Sequence, residues 1–177
     1  MKRSANTFDS AEALFNQNND NMVNLIPQIR NTTRALIIRD RHILLIRKEY
    51  ANGQIRLAFP GGGQEADETL IQSLQRECME EIAAEVKVRK LLHVADCFKL
   101  RDMVPLTTRH LVEFFFECSV TEDYIPRNGH HPDKHQVAVV WEDIRQLAET
   151  DIFLPALAPY LNETKNNDSS VYLGKFC

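Results

Sequence analysis

The sequence lacks a long apolar run, a cysteine framework and an excess of positive charge. Its longest apolar run is Val137–Trp141, far below the roughly 18 residues of a membrane-spanning helix, so we expect no membrane insertion. The four cysteines (Cys78, Cys97, Cys118, Cys177) form no CxxC pair and lie far apart, which favours reduced thiols. Lys and Arg total 21 against 25 Asp and Glu, a net charge of -4, which excludes the broad basic surface of a general DNA-binding protein.

The remaining composition is that of a globular chain of one domain. With 177 residues, of which 44% are hydrophobic, the chain can bury a core. Residues 1–28 are rich in Asn and Gln and form an N-terminal extension, with a short helix predicted at Ala11–Phe15; residues 29–161 form the domain, and residues 162–177 form a polar tail. The first residues contain no hydrophobic leader, so we expect a cytoplasmic protein.

Short apolar runs predict several strands before and after one well-defined helix. Ala35–Ile38 and Ile43–Ile46 flank a polar tip and predict a β-hairpin. Further strands are predicted at Val86–Val94, Leu106–Cys118 and Val137–Trp141, and helices near Glu142–Ala148 and Leu154–Leu161. Because strands and helices do not alternate regularly, the pattern predicts an α/β (α+β) fold with helices on a mixed sheet, not a doubly wound parallel sheet.

Half of the six glycines form one triplet, Gly61-Gly62-Gly63, just before the predicted helix. Such a triplet indicates a sharp turn or a close approach of the backbone to a ligand. Thr69 and Gln72 have the spacing of a capping box, and apolar residues at spacings of three and four predict a helix over Leu70–Ile82.

Three carboxylates share one face of that helix. At about 100° per residue, Glu77, Glu80 and Glu81 fall within an arc of about 100°, beside the apolar stripe. Such a cluster repels itself without a cation, and hard carboxylate oxygens suit Mg²⁺ or Mn²⁺ bound together with a phosphate compound. The alternative interpretation is a solvated helix face, which the adjacent glycine turn disfavours.

The spacing of these residues resembles a known family motif. Gly62, then Glu68, then Arg76-Glu77-Cys78-Met79-Glu80-Glu81-Ile82-Ala83-Ala84 resembles the Nudix box, G-x5-E-x7-R-E-U-x-E-E-x-G-U, of the Nudix hydrolases. The chain departs from the pattern at Ala83, which replaces the usual Gly. If the helix ends there in a left-handed turn, the Cβ costs roughly 1 kcal/mol.

The resemblance implies a fold, a reaction and a set of site residues. It implies an α/β/α sandwich and a metal-dependent pyrophosphohydrolase that cleaves a diphosphate linkage in a small nucleoside diphosphate derivative, such as ADP-ribose or a nucleotide sugar. By position, the metal (Mg²⁺ or Mn²⁺) ligands would be Glu77, Glu80, Glu81 and the Gly61 carbonyl, and Glu68 and Arg76 would support them. Family habit also allows a homodimer.

Two questions stay open at the level of the sequence. The general base is one of the box glutamates or a residue of the loop 128–136, where Asp133 and His135 are candidates. Alternative functions are removal of phosphate from an RNA 5′ end, which needs a basic channel, and a nucleotide-binding regulatory module without turnover. Arg47 and Arg56 are candidate phosphate contacts and Tyr50, Phe59 and Phe98 candidate base-stacking residues, although solvated arginines and core aromatics are the simpler interpretations.

Overall fold

The computed structural model describes residues 24–25, 29–101, 107–149 and 170–175. Its strands are β1 (Asn24–Leu25), β2 (Arg30–Arg39), β3 (His42–Glu49), β4 (Ile55–Ala58), β5 (Lys87–Arg101), β6 (Thr107–Ser119), β7 (Gln136–Asp143) and β8 (Tyr172–Lys175). The helix α1 spans Leu70–Ile82, as the sequence predicts. No helix in this described part of the chain has the length and apolarity to cross a membrane.

The strands form one mixed sheet. Its order is β4-β3-β2-β6-β5-β8, with β1 beside β6 and β7 beside β3. The pairs β2/β6, β1/β6 and β5/β8 are parallel, and the other pairs are antiparallel. This arrangement confirms the predicted fold class.

The hairpin β2/β3 opens a cleft between two parts of the sheet. The strands pair only next to their turn, at Ile38 with Ile43 and Arg39 with His42. Beyond that point β2 pairs with β6 over Arg30–Ile37, whereas β3 pairs with β4 and β7. Residues at the far ends of β2 and β3 therefore face one another across a gap.

The helix α1 is fixed at both ends. The Thr69 hydroxyl accepts a hydrogen bond from the Gln72 backbone N–H, and the Gln72 side chain accepts one from the Thr69 N–H, so the predicted capping box is present. The helix ends at Ala83, which has φ 49° and ψ 39°, the left-handed conformation that glycine usually supplies. Leu74, Cys78 and Ile82 are fully buried against β2, β3 and β6 residues.

Three predictions from the sequence need correction. Residues Glu142 and Asp143 continue β7, and Ile144–Glu149 form a 3-10 helix, so the helix predicted near Glu142–Ala148 begins two residues later and is of the 3-10 type. Part of the predicted polar tail is a strand, β8, because its backbone pairs with β5. Cys97 is disulfide-bonded, contrary to the expectation of reduced thiols, whereas Cys78 and Cys118 are free and buried. The helices predicted at Ala11–Phe15 and Leu154–Leu161 lie outside the described residues.

Candidate active site

The glycine turn runs against β2. The Thr33 N–H donates to the Gly62 carbonyl at 2.9 Å, and the Ala35 N–H donates to the Pro60 carbonyl at 2.8 Å. Gly61 has φ 128°, and a Cβ built on it would lie 2.1 Å from the Thr33 carbonyl oxygen. Only glycine fits this position, because a side chain would meet rigid backbone.

The next glycine lies directly over a carboxylate of α1. A Cβ on Gly62 would lie 2.4 Å from Oε1 of Glu77 and 2.6 Å from Oε2. The missing side chain therefore leaves space for this carboxylate beside the turn. Burial raises the pKa of Glu77, and the neighbouring Arg76 guanidinium partly opposes that effect.

Arg76 ties the helix to the glycine turn. Its guanidinium donates to both carboxylate oxygens of Glu68, at 3.0 and 2.9 Å, and to the Gly63 carbonyl at 3.1 Å. Its Nη1 also donates to Glu77 at 3.1 Å and to Glu80 at 3.2 Å. The bidentate bond from Arg76 lowers the pKa of Glu68 to about 2, so this carboxylate is ionised at neutral pH.

Glu81 is the most enclosed acid of the helix. It is 4% exposed, and its Oε2 accepts a hydrogen bond from the Gly61 N–H at 2.8 Å. Burial raises its pKa to about 8, although the bond from Gly61 and the charge of Arg34 favour the ionised form. A carboxylate this deeply buried and with a raised pKa is suited to bind a proton or a cation.

The loop between β6 and β7 is anchored on the last turn of α1. The N–H groups of Gly129 and His131 donate at 2.9 Å to the carbonyls of Glu81 and Glu80. The Gln136 side-chain amide donates to the Glu81 carbonyl at 2.7 Å. These bonds satisfy carbonyls that a helix end leaves without partners, and they fix the loop beside the acidic face.

This anchored loop carries both candidate bases, and it brings only one of them into the lining of the pocket. Asp133 lines the same pocket as Glu77 and Glu81, and its carboxylate pairs with the Lys48 ammonium. The His135 ring packs on the Tyr50 ring with centroids 4.7 Å apart, and it is not among the residues that line the pocket. The structure therefore brings Asp133 to the predicted site and leaves His135 at its edge.

Behind the glycine turn lies a buried ion cluster that the sequence analysis missed. Glu113 is fully buried, and its Oε1 accepts from Arg34 at 3.2 Å and from Lys99 at 3.1 Å. Burial alone would raise the pKa of Glu113, but these two cations outweigh it and lower that pKa. Arg34 also donates to the Gly61 carbonyl, so the cluster holds the turn from behind.

The cleft between the two parts of the sheet contains a pocket of about 750 Å³. This volume lies within the usual range for small-molecule sites. Its walls carry six cationic side chains and three carboxylates. The cations are Arg30, Arg34, Lys48, Arg56, Lys99 and Arg109; the carboxylates are Glu77, Glu81 and Asp133; the three glycines of the turn also line the pocket.

The predicted site residues fall into two groups. Glu77, Glu81 and Gly61 line the pocket, whereas Glu68, Arg76 and Glu80 form the network at its side. Among the described residues, no three His, Cys, Asp or Glu side chains converge closely enough to hold a metal ion. Arg76 holds Glu77 and Glu80 apart from Glu81, whose carboxylate is held by Gly61. The donors nevertheless fit a divalent cation in kind, since they are hard oxygens on one face and one of them is almost fully buried.

Comparisons with known proteins show which family the chain belongs to. A sequence model described as the NUDIX domain matches residues 29–162. A NUDIX hydrolase from Nitrosomonas europaea is similar in structure, with a TM-score of 0.59, 21% identity, and coverage of 78% of this chain and 88% of that one. An ADP-ribose pyrophosphatase from Streptococcus suis matches with a TM-score of 0.54, 18% identity, and coverage of 85% and 100%. A UDP-X diphosphatase matches with a TM-score of 0.58, 20% identity, and coverage of 96% and 75%. A search of the curated proteins gives no match.

The domain match covers most of the chain, and the structural neighbours share its fold. The chain belongs to the Nudix hydrolase family. It is a hydrolase of the class that acts on phosphorus-containing anhydrides. Members of this family generally use divalent metal ions and act on small nucleotide substrates.

Proposed function

We propose that this protein is a metal-dependent pyrophosphohydrolase that cleaves the diphosphate linkage of a nucleoside diphosphate derivative. The observation that carries the proposal is that Gly61, Glu77 and Glu81 line one pocket together with six cationic side chains. A diphosphate needs both features, because cations compensate its charge while the carboxylates take the metal.

We assign the metal site to Glu77, Glu80, Glu81 and the Gly61 carbonyl. Mg²⁺ or Mn²⁺ bound there would neutralise phosphate charge and activate the attacking water. In that site the cation would take the place of the Arg76 guanidinium at Glu77 and Glu80 and of the Arg34 guanidinium at the Gly61 carbonyl. Arg76 stays anchored through both oxygens of Glu68, so the helix and the turn keep their positions.

Asp133 is our candidate for the residue that accepts the proton of the water. It lines the pocket with Glu81, and its carboxylate pairs with the Lys48 ammonium, which holds it in place at the pocket wall. His135 lies outside the lining and packs on Tyr50. We therefore expect Asp133→Asn to lower kcat much more than His135→Gln does, and equal losses in the two variants would reject this assignment.

The experiment that tests the function measures product release with Mg²⁺ and separately with Mn²⁺. The panel contains ADP-ribose, UDP-sugars, dinucleoside polyphosphates, nucleoside triphosphates and 5′-triphosphate RNA. Glu80→Gln removes a proposed ligand without touching the buried core, and Glu85→Gln, an exposed acid just beyond the helix, is the matched control. Metal-dependent turnover that is lost only in Glu80→Gln supports the proposal. Tight nucleotide binding without turnover would favour a regulatory module.

The compartment and the assembly of the protein stay predictions. Mass measurement in solution tests for the homodimer that family habit allows. Disulfides are rare in reducing compartments, so the state of Cys97 in the cell bears on the predicted cytoplasmic location. Thiol labelling of protein extracted under non-reducing conditions decides whether that bond exists in the cell.

A further inference from the structure

Positive side chains outnumber the carboxylates in the lining of the pocket, six to three. Six cationic side chains line it, whereas the chain as a whole has a net charge of -4. A concentration of cations against the sign of the whole protein is not a consequence of composition. It indicates a ligand with a high negative charge.

The strand register builds two cationic walls on opposite sides of the cleft. On one wall Lys48 of β3 pairs with Arg56 of β4. On the other wall Lys99 of β5 pairs with Arg109 of β6. Arg30 and Arg34 project from alternate positions of β2, and the Arg30 guanidinium lies against Gly63. The cations therefore come to the pocket from both parts of the sheet, and Arg30 and Arg34 also lie beside the glycine turn.

Protein carboxylates neutralise only part of this charge. Lys48 pairs with Asp133, and Lys99 and Arg34 share Glu113. No ion pair to a carboxylate links Arg30 or Arg56 to any residue that the structure describes. The Nε groups of Arg34 and Arg56 are buried, and neither has a hydrogen-bond partner within the described ranges. Buried donors of this kind cost free energy until an acceptor reaches them.

Burial and a neighbouring cation also affect the pKa of Lys99. Burial and the nearby Arg34 lower its pKa to about 8, although Glu113 favours the charged form. An anion in the pocket would reverse the effect of burial on this ammonium. Arg56 also lies over the Tyr50 ring, 5.6 Å from its centroid, which orients its guanidinium at the pocket wall.

We propose that the cationic walls form a second phosphate subsite, so that the substrate is a small nucleotide with three or more phosphates. Phosphates that are not hydrolysed would contact Arg56, Arg109 and Lys99 while the cleaved linkage lies at the glycine turn. This inference rests on the proposed function and specifies its substrate class. It disfavours a neutral sugar as the second half of the substrate.

The test is a series of compounds that differ only in phosphate number. Diadenosine di-, tri-, tetra- and pentaphosphate are compared with ADP-ribose in the presence of Mg²⁺. We expect kcat/KM to rise by about tenfold or more from two to four phosphates, the size of one charge-assisted contact. Arg56→Gln and Arg109→Gln should each flatten that rise. Arg89→Gln, which alters an exposed residue of β5 outside the pocket, should leave it unchanged.

A binding measurement separates this inference from the proposed function. Calorimetry with inorganic tripolyphosphate and pyrophosphate on the metal-free protein needs no turnover. Tripolyphosphate should bind about tenfold more tightly, and each pocket variant should reduce that difference. Equal affinities, or a difference that both variants retain, would overturn the inference.

The kinetic outcomes separate the two proposals further. Turnover that is independent of phosphate number, or highest for ADP-ribose, would overturn the inference and leave the proposed function intact. If a 5′-triphosphate oligonucleotide is turned over fastest, the inference is also overturned, because the cationic walls would then bind RNA. If the wild-type protein turns over none of these compounds but binds tripolyphosphate more tightly than pyrophosphate, the proposed function is rejected and the subsite is supported.

Discussion

The two glycines at the turn should respond differently to the same added methyl group. Gly61→Ala forces a side chain into a position with φ 128°, with its Cβ 2.1 Å from the Thr33 carbonyl oxygen. The strained backbone costs about 1–3 kcal/mol and the overpacking against backbone another 1–3 kcal/mol. Together they lower the free energy of unfolding by about 2–6 kcal/mol. For a chain of this size each kcal/mol lowers Tm by about 2–4 °C, so we expect a fall of at least about 4 °C.

Gly62→Ala places the same methyl group against the tip of a side chain. Its Cβ would lie 2.4–2.6 Å from the Glu77 carboxylate atoms, and no left-handed φ is required there. The carboxylate can move aside, so the stability cost should stay below about 1.5 kcal/mol. Activity should nevertheless fall sharply, because Glu77 loses its place beside the turn.

Gly53→Ala is the control for backbone strain alone. Gly53 has φ 79° and no atom within 4 Å of its added Cβ, so we expect a cost of about 1 kcal/mol and full activity. Differential scanning calorimetry and a hydrolysis assay on the three variants check the set. A Gly61→Ala protein as stable as Gly53→Ala would refute the argument that the turn packs against β2, and full activity of Gly62→Ala would refute the placement of Glu77.

Three further predictions follow from local contacts. Ala83→Gly should raise the free energy of unfolding by about 0.5–1 kcal/mol, because Ala83 ends α1 in a left-handed conformation; a lower Tm would contradict this. Arg76→Lys should lower the free energy of unfolding, measured in urea, by about 2–4 kcal/mol, because an ammonium cannot bridge Glu68 and the Gly63 carbonyl together. An unchanged urea midpoint would count against that network. The pKa of Lys99 in the folded protein is about 8, below its ordinary value of 10.5. The free energy of unfolding of the wild-type protein should therefore rise relative to that of Lys99→Met as the pH rises from 8 to 10.5. A fall over that range would contradict this prediction.

Local signals were sufficient to predict the helix and the hairpin. The capping box at Thr69 and the apolar spacing act within a few residues of sequence, so Leu70–Ile82 matches the structure at both ends. The hairpin tip is formed by Asp40 and Arg41, both with positive φ, which tolerate the turn without a glycine. Strand β8 could not be predicted in this way, because its pairing with β5 joins distant parts of the chain.

The acidic half of the site could be predicted, whereas of the six pocket cations the sequence indicated only Arg56 as a candidate phosphate contact. Glu77, Glu80 and Glu81 lie within five residues of one helix, so their common face follows from helical periodicity. The cations come from five strands, and only the sheet register brings Arg56 and Arg109 to one pocket. One signal was present in the sequence: Glu113 interrupts the apolar run Leu111–Phe116, and an acid buried at such a position needs cationic partners.

The central claim is that the carboxylates of α1 bind a divalent ion and that this ion is needed for hydrolysis of a phosphoanhydride. The most direct measurement follows phosphate-containing products from diadenosine tetraphosphate with Mg²⁺, with chelator, and with Glu81→Gln. We predict turnover with Mg²⁺, its loss in chelator, and a fall of about 10²-fold or more in the variant. Equal turnover in chelator, or an unimpaired Glu81→Gln protein, would contradict the account.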